Sequence, residues 1–186
     1  MLLMALIDNK DSAGYKLLQR FAASNNVDLA RLSRQARLAV ESRRDLPGDL
    51  FARKDPSLRP DEYYRFWDAI EATSDNPCFA LDLMDQMSTE VFDPVLFAAF
   101  CSPDMNTALG RIQQFKPLIG PLRLDVSITG KHTTVAIDFS GIELPVPRAL
   151  VLGELAFFVQ FARLATRERI DPLAVTAPID LPQANQ

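Results

Sequence analysis

The sequence predicts an α+β fold, a helix-rich single domain packed on a small antiparallel sheet built around a hairpin at residues 122–139. Three observations carry this. Apolar residues recur at helical spacing through most of the chain. One stretch, "LRLDVSITGKHTTVAIDF", instead alternates with period two on both sides of Gly130-Lys131. The 186 residues also fit one domain, 1–186, with a substantial core.

Residues 12–24, "SAGYKLLQRFAAS", read as a helix capped by Ser12, with Leu17, Leu18, Phe21 and Ala22 as its apolar stripe. Asn25-Asn26 ends it, and Asp28 caps a second short helix at 29–36. The arginine-rich stretch that follows is broken at Pro47-Gly48, Pro56 and Pro60. Asp45, Asp49 and Asp55 dilute its charge, so it reads as a solvated loop rather than a nucleic-acid arm.

Pro60-Asp61-Glu62 opens a helix over 60–73, since proline suits a first turn and acids suit the positive end of the helix dipole. Tyr63, Phe66, Trp67 and Ile70 form its core face. After a turn at Ser74–Pro77, residues 78–87 make an amphipathic helix. Asp93-Pro94 starts a short, nearly all-apolar helix, expected to be buried on most sides. A helix over 104–116 begins at Asp104 and carries the stripe Met105, Ala108, Leu109, Ile112 and Phe115. Pro117 and Gly120-Pro121 mark its exit.

The hairpin is the most constrained element. A two-residue turn at Gly130-Lys131, of type II′ with glycine first, fixes the register. Val126 then faces Val135, Leu124 faces Ile137, Leu122 faces Phe139, and Arg123 opposes Asp138 on the polar side. A one-residue slip would put the two apolar sets on opposite faces. The next helix, 146–168, has Pro147 near its first turn and is apolar almost all round up to Ala162. It is predicted to be the central buried helix, with Arg163, Arg167 and Arg169 at its negative end. A short strand at 173–177 closes the prediction.

Composition and motifs exclude several functions. The net charge of −4 and pI near 5.0 argue against a general nucleic-acid binder. "MLLMALI" lacks a basic region and reaches Asp8 too soon for a signal peptide. The apolar stretch 149–162 is interrupted by Gly153, Glu154 and Gln160 and is too short to span a bilayer, so a cytoplasmic protein without membrane contact is expected. Cys78 and Cys101 have no metal-ligand spacing and read as small core residues. His132 falls directly after the turn, opposite Thr129, a poor place for a haem ligand or a general base. No nucleophile elbow, phosphate loop, dinucleotide fingerprint or zinc-protease motif is present. No cofactor and no metal are therefore expected. Asp82 and Asp85 read as a solvated face.

Two features have candidate chemistry. Glu154 lies inside the apolar helix, where a buried carboxylate needs a partner. That partner is an arginine of the core or the cationic head of a ligand, unless the side chain snorkels at an edge. The phenylalanines cluster along the chain and read as core, or in part as the lining of an apolar ligand pocket. The candidate ligand-binding set is Phe97, Phe100, Phe115, Glu154, Phe157, Phe158 and Phe161.

The segments "LRPDEYYRFWDAIEATSDNPCFALDL" and "FDPVLFAAFCSPDMNTALGRIQQFKPLIGPLRLDV", followed by the hairpin and the apolar helix, occur in an order that resembles one family. It is the N-terminal sensor region of AraC-type transcription regulators, in the branch with an arabinose-binding-type domain, that of the ornithine-utilisation regulators. The family's glycine-containing turn appears here as "TSDNPCFAL", with Phe79-Ala80 in place of the glycine step. The resemblance implies a sensor rather than an enzyme. It implies a small-molecule effector, dimerisation, and DNA contact only through a C-terminal helix-turn-helix domain, which this sequence does not contain. A truncated sensor is the expectation. The alternatives are a haem- or gas-binding sensor and a small carboxylate-dependent enzyme.

Overall fold

The computed structural model describes residues 59–74, 76–139 and 141–180. In chain order they form α1 (Pro60–Thr73), α2 (Phe79–Asp85), a 3-10 turn (Thr89–Val91), α3 (Pro94–Phe100), α4 (Met105–Ile119), β1 (Arg123–Ile128), β2 (Thr133–Asp138) and α5 (Arg148–Thr166). The helices expected at 12–24 and 29–36, and the arginine-rich loop, lie outside the described residues. This is the α+β architecture expected: helices around a two-stranded antiparallel sheet.

Helices α1, α3 and α4 start where the sequence supplies a partner for free backbone donors. The Arg59 N–H donates to the Glu62 carboxylate at 2.8 Å, and Pro60 sits in the first turn of α1. Asp93 accepts from the Leu96 N–H at 2.8 Å and starts α3. Asp104 accepts from both the N–H and the hydroxyl of Thr107, at 2.8 and 2.9 Å, and starts α4. Helix α5 has no cap of its own. Glu71 of α1 supplies it, accepting the Ala149 N–H at 3.0 Å, so one helix end is held by another helix. At its far end Arg167 takes a left-handed conformation, φ 57°.

Helix α5 lies against α1, α2 and α4, and α4 in turn packs on α3 and β1. Among the described residues two apolar clusters result. One joins α1 and α2 to the first turns of α5 through Tyr64, Trp67, Phe79, Ala80, Ala149, Leu150 and Leu152. The other joins α2, α3, α4 and β1 to the later turns of α5 through residues including Leu83, Ala99, Ile112, Leu124 and Phe161. Tyr64 ties α1 to the end of the hairpin by donating to the Phe139 carbonyl at 3.0 Å.

The hairpin register is the expected one: Arg123 opposes Asp138, Leu124 opposes Ile137 and Val126 opposes Val135. The turn differs. Gly130 has no positive φ, so the turn is not type II′. The Thr129 side chain closes it instead, accepting from the His132 N–H at 3.1 Å while donating to the His132 carbonyl at 2.8 Å. Gln113 of α4 accepts the Val126 N–H at 3.2 Å, which anchors an edge of the sheet to the helix.

Four expectations are corrected. Helix α3 buries only Leu96 and Ala99 among its seven residues, because only one side of so short a helix meets α4. Residues 173–177 form no strand; Leu173 is 91% exposed, and among the described residues no strand pairs with this segment. Cys101 is exposed and Cys78 only half-buried, since both sit at helix ends rather than on core faces. Helix α4 runs past Pro117 to Ile119, the proline being accommodated in the last turn.

Candidate functional site

A run of apolar contacts between α4 and α5 is interrupted at one place. Lys116 occupies the position one turn beyond Ile112, on the stripe that α4 turns inward, and Glu154 faces it from α5. Their side chains are 7% and 11% exposed, and Nζ of Lys116 lies 2.6 Å from Oε2 of Glu154. A single buried charge would be strongly unfavourable, so each requires the other. The approach is off the line of a hydrogen bond, so Oε2 is ion-paired yet has no aligned donor. Nζ also lies over the Phe157 ring, 5.0 Å from its centroid.

Helix α1 adds two more polar groups. Tyr63 and Trp67, one turn apart, meet edge to face with centroids 6.4 Å apart. Burial, and then the negative charge of Glu154, push the Tyr63 hydroxyl well above the ordinary tyrosine range, so it stays a neutral donor and acceptor. The hydroxyl lies under the exit of α4, where a β-carbon on Gly120 would stand 3.8 Å from it. The Trp67 indole N–H approaches the Tyr63 hydroxyl and offsets part of that rise, but the approach falls short of a well-formed hydrogen bond, and the N–H is buried with no other partner. Trp67 packs on α5 at Gly153, where a β-carbon would be 3.7 Å from the tryptophan ring, an ordinary contact. Among the described residues three buried side-chain polar atoms lack a hydrogen-bond partner: Trp67 Nε1, Ser102 Oγ and Glu154 Oε2. Two of the three fall in this cluster, and one of these, Glu154 Oε2, is held by the charge of Lys116.

Phe157 links the cluster to a wall of aromatic rings. Its centroid is 5.1 Å from that of Phe158 and 5.9 Å from that of Phe161. Phe92 stacks on Phe161 at 5.8 Å and meets Phe100 edge-on at 5.6 Å. Phe92, Phe100 and Phe158 are only partly buried, so this wall reaches toward solvent. Of the residues singled out from sequence, Phe100, Glu154, Phe157, Phe158 and Phe161 come together here. Phe97 does not: it is 52% exposed on the outer side of α3. Phe115 does not either; it is half-buried and outside both apolar clusters, because Lys116 takes the inward position. The partner of Glu154 is a lysine, not the expected arginine. His132 is exposed at the hairpin tip, and Asp82 and Asp85 are taken up by Asn76 and Gln160.

Sequence reasoning passed over Lys116. The signal was present: continued at helical spacing, the stripe Ala108, Leu109, Ile112 reaches residue 116 as readily as 115. A lysine there and the lone acid of the apolar helix are opposite charges at two inward positions. Among the described residues no three His, Cys, Asp or Glu side chains are grouped as metal ligands. Helix α5 is long and apolar enough by length and composition to cross a membrane, and it packs in part against α1, α2 and α4.

Compared with known families, residues 27–186 match the N-terminal arabinose-binding domain of AraC transcription regulators. None of the curated proteins compared matches the chain. The family match covers most of the sequence, and the chain belongs to this family of ligand-sensing regulatory domains.

Proposed function

We propose that this member of the AraC sensor-domain family takes its effector at the cluster of Tyr63, Trp67, Lys116 and Glu154 and the adjoining Phe100, Phe157, Phe158 and Phe161. One observation carries the reading: a buried ion pair and an indole N–H without a hydrogen-bond partner lie beside an apolar wall, in a domain whose family senses ligands. Occupancy then controls DNA binding by a separate C-terminal domain. The physical means is a population shift, in which the effector biases the regulator only by its differential affinity for two sensor states. The order of the segments at 58–83 and 92–126 supports the ornithine-utilisation-regulator-like branch. Dimerisation through this domain belongs to the same reading and is checked by sedimentation of the chain. The exposed hairpin-tip position of His132 gives the haem alternative no support.

A thermal-shift screen of the chain against amino acids, polyamines, fatty acids, sugars including arabinose, alcohols and cyclic nucleotides tests the proposal. A true effector raises the melting temperature saturably, by an amount equivalent to about 2.7 kcal/mol at a hundred times its Kd. The gain should disappear in Glu154→Gln. If no compound raises the melting temperature, the sensing role falls and a purely structural or dimerising role replaces it.

A further inference from the structure

The site's own charges specify what kind of ligand it accepts, given that the effector binds there as proposed above. Lys116 and Glu154 already cancel, so the buried cluster is neutral. An anionic ligand would satisfy the Trp67 N–H but would bring a second negative charge beside Glu154 out of water. A cationic ligand would meet Glu154 but crowd Lys116, and would leave the indole N–H unmet. What the cluster lacks is one acceptor, for Trp67 Nε1–H, and one well-aligned donor, for Glu154 Oε2. A hydroxyl supplies both with no net charge. The Tyr63 hydroxyl, held neutral, can join either role. Beyond the polar cluster Phe157 leads directly to the partly buried rings of Phe158, Phe92 and Phe100, a surface suited to an apolar body rather than to further hydroxyls.

We propose that the effector is a neutral, amphipathic alcohol, whose hydroxyl is read by Trp67 and Glu154 and whose apolar body lies against Phe158, Phe92 and Phe100. Lys116 is the positioning residue that holds Glu154 at an inward position through their 2.6 Å ion pair, without giving the site a net charge.

Trp67 is the sole tryptophan of the chain, so its emission reports this site directly. The 186-residue chain is titrated with 1-hexanol, hexanoate and hexylamine, which share one apolar body and differ in the charge of the head. Hexanol should shift Trp67 emission saturably, with an affinity about tenfold or more above either charged compound, the scale of one buried hydrogen bond gained without a charge conflict. Glu154→Gln leaves the lysine uncompensated and should turn the preference toward hexanoate. Should that variant fail to fold, Trp67→Phe removes the donor while keeping an aromatic ring. Followed by thermal shift, it should lose most of its preference for hexanol. Equal or tighter binding of hexanoate or hexylamine by the unmodified chain overturns the proposal. So does a saturable thermal shift by hexanol that leaves Trp67 emission unchanged, and so does the absence of any saturable response, as when a water fills the role. If the wider screen finds a charged effector while hexanol fails, the sensing role stands and this inference alone falls. If neither finds a ligand, both fall.

Discussion

The two halves of α5 are built on opposite terms. From Ala149 to Gly153 every residue is buried and apolar, closed over by Trp67, Phe79 and Ala80. One residue later Glu154 faces Lys116, with the unpartnered Trp67 indole N–H in the same cluster. The first half gains stability from close packing. The second gives stability up, because a buried ion pair rarely outperforms the apolar residues that could replace it. A fold that keeps a charged pair on the buried side of its central helix retains it for something other than stability.

The contrast is broken most forcefully by separating the pair. Lys116→Ala or Glu154→Ala alone should destabilise the chain by about 3–5 kcal/mol in urea denaturation, since either leaves an uncompensated charge inside. Replacing both, Lys116→Met with Glu154→Leu, should recover that loss and can exceed the original stability by about 1–4 kcal/mol. A double variant as unstable as the sum of the two singles would show that the two charges are not coupled, and would erase the distinction between the halves.

In the dry half the corresponding test is Leu150→Ala. This side chain is 0% exposed, and its truncation should cost about 2–5 kcal/mol through lost burial and the cavity left behind. It should leave ligand response intact wherever the protein still folds. Loss of response at undiminished stability would place the site on the wrong half of the helix.

A finer test uses the junction itself. Gly153 ends the dry half, and a β-carbon there would meet Trp67 at 3.7 Å and Ala80 at 3.9 Å, ordinary contact distances. Gly153→Ala should therefore stabilise the chain by about 0.5–1 kcal/mol, the helical advantage of alanine over glycine. A destabilisation measured by thermal melting would mean that Trp67 cannot be displaced at all and that the junction is tighter than its distances indicate.

The dry half was legible in the sequence and the polar half only partly so. Alternation and turn chemistry are local, so the hairpin register followed from residues 122–139 alone. The bounds of α1 followed from Pro60 and its acids. Even there, the turn type was misread, because a threonine side chain did the work assigned to a glycine backbone. Glu154 stood out as a lone acid, but its partner is distant in sequence, and one-turn periodicity does not decide between neighbours such as Phe115 and Lys116. That decision is made by the tertiary contact with α5. Helix α3 failed for a related reason: apolar composition says that a surface can be buried, not that a partner exists to cover all of it.

The same contrast between an open and a closed charge runs along α4, and it supplies the smallest effect. Its first turn carries Asp104 in full exposure, and its last carries Lys116 in the interior. Asp104 accepts the Thr107 N–H and hydroxyl, and these bonds, the backbone one foremost, hold its carboxyl below the ordinary carboxylate value. A depressed carboxylate stabilises the fold above its unfolded pKa, and that stability is lost as pH falls through the lower folded value. Asparagine caps a helix as well as aspartate but does not titrate. The stability difference between the unmodified chain and Asp104→Asn should therefore be constant near neutral pH and shrink only on acidification below about pH 4. Denaturant midpoints of the pair across that range check it. Comparing the two chains cancels the titration of every other carboxylate. A difference that persists unchanged into acid would mean that Asp104 caps α4 by shape alone, so that charge enters this helix only at its buried end.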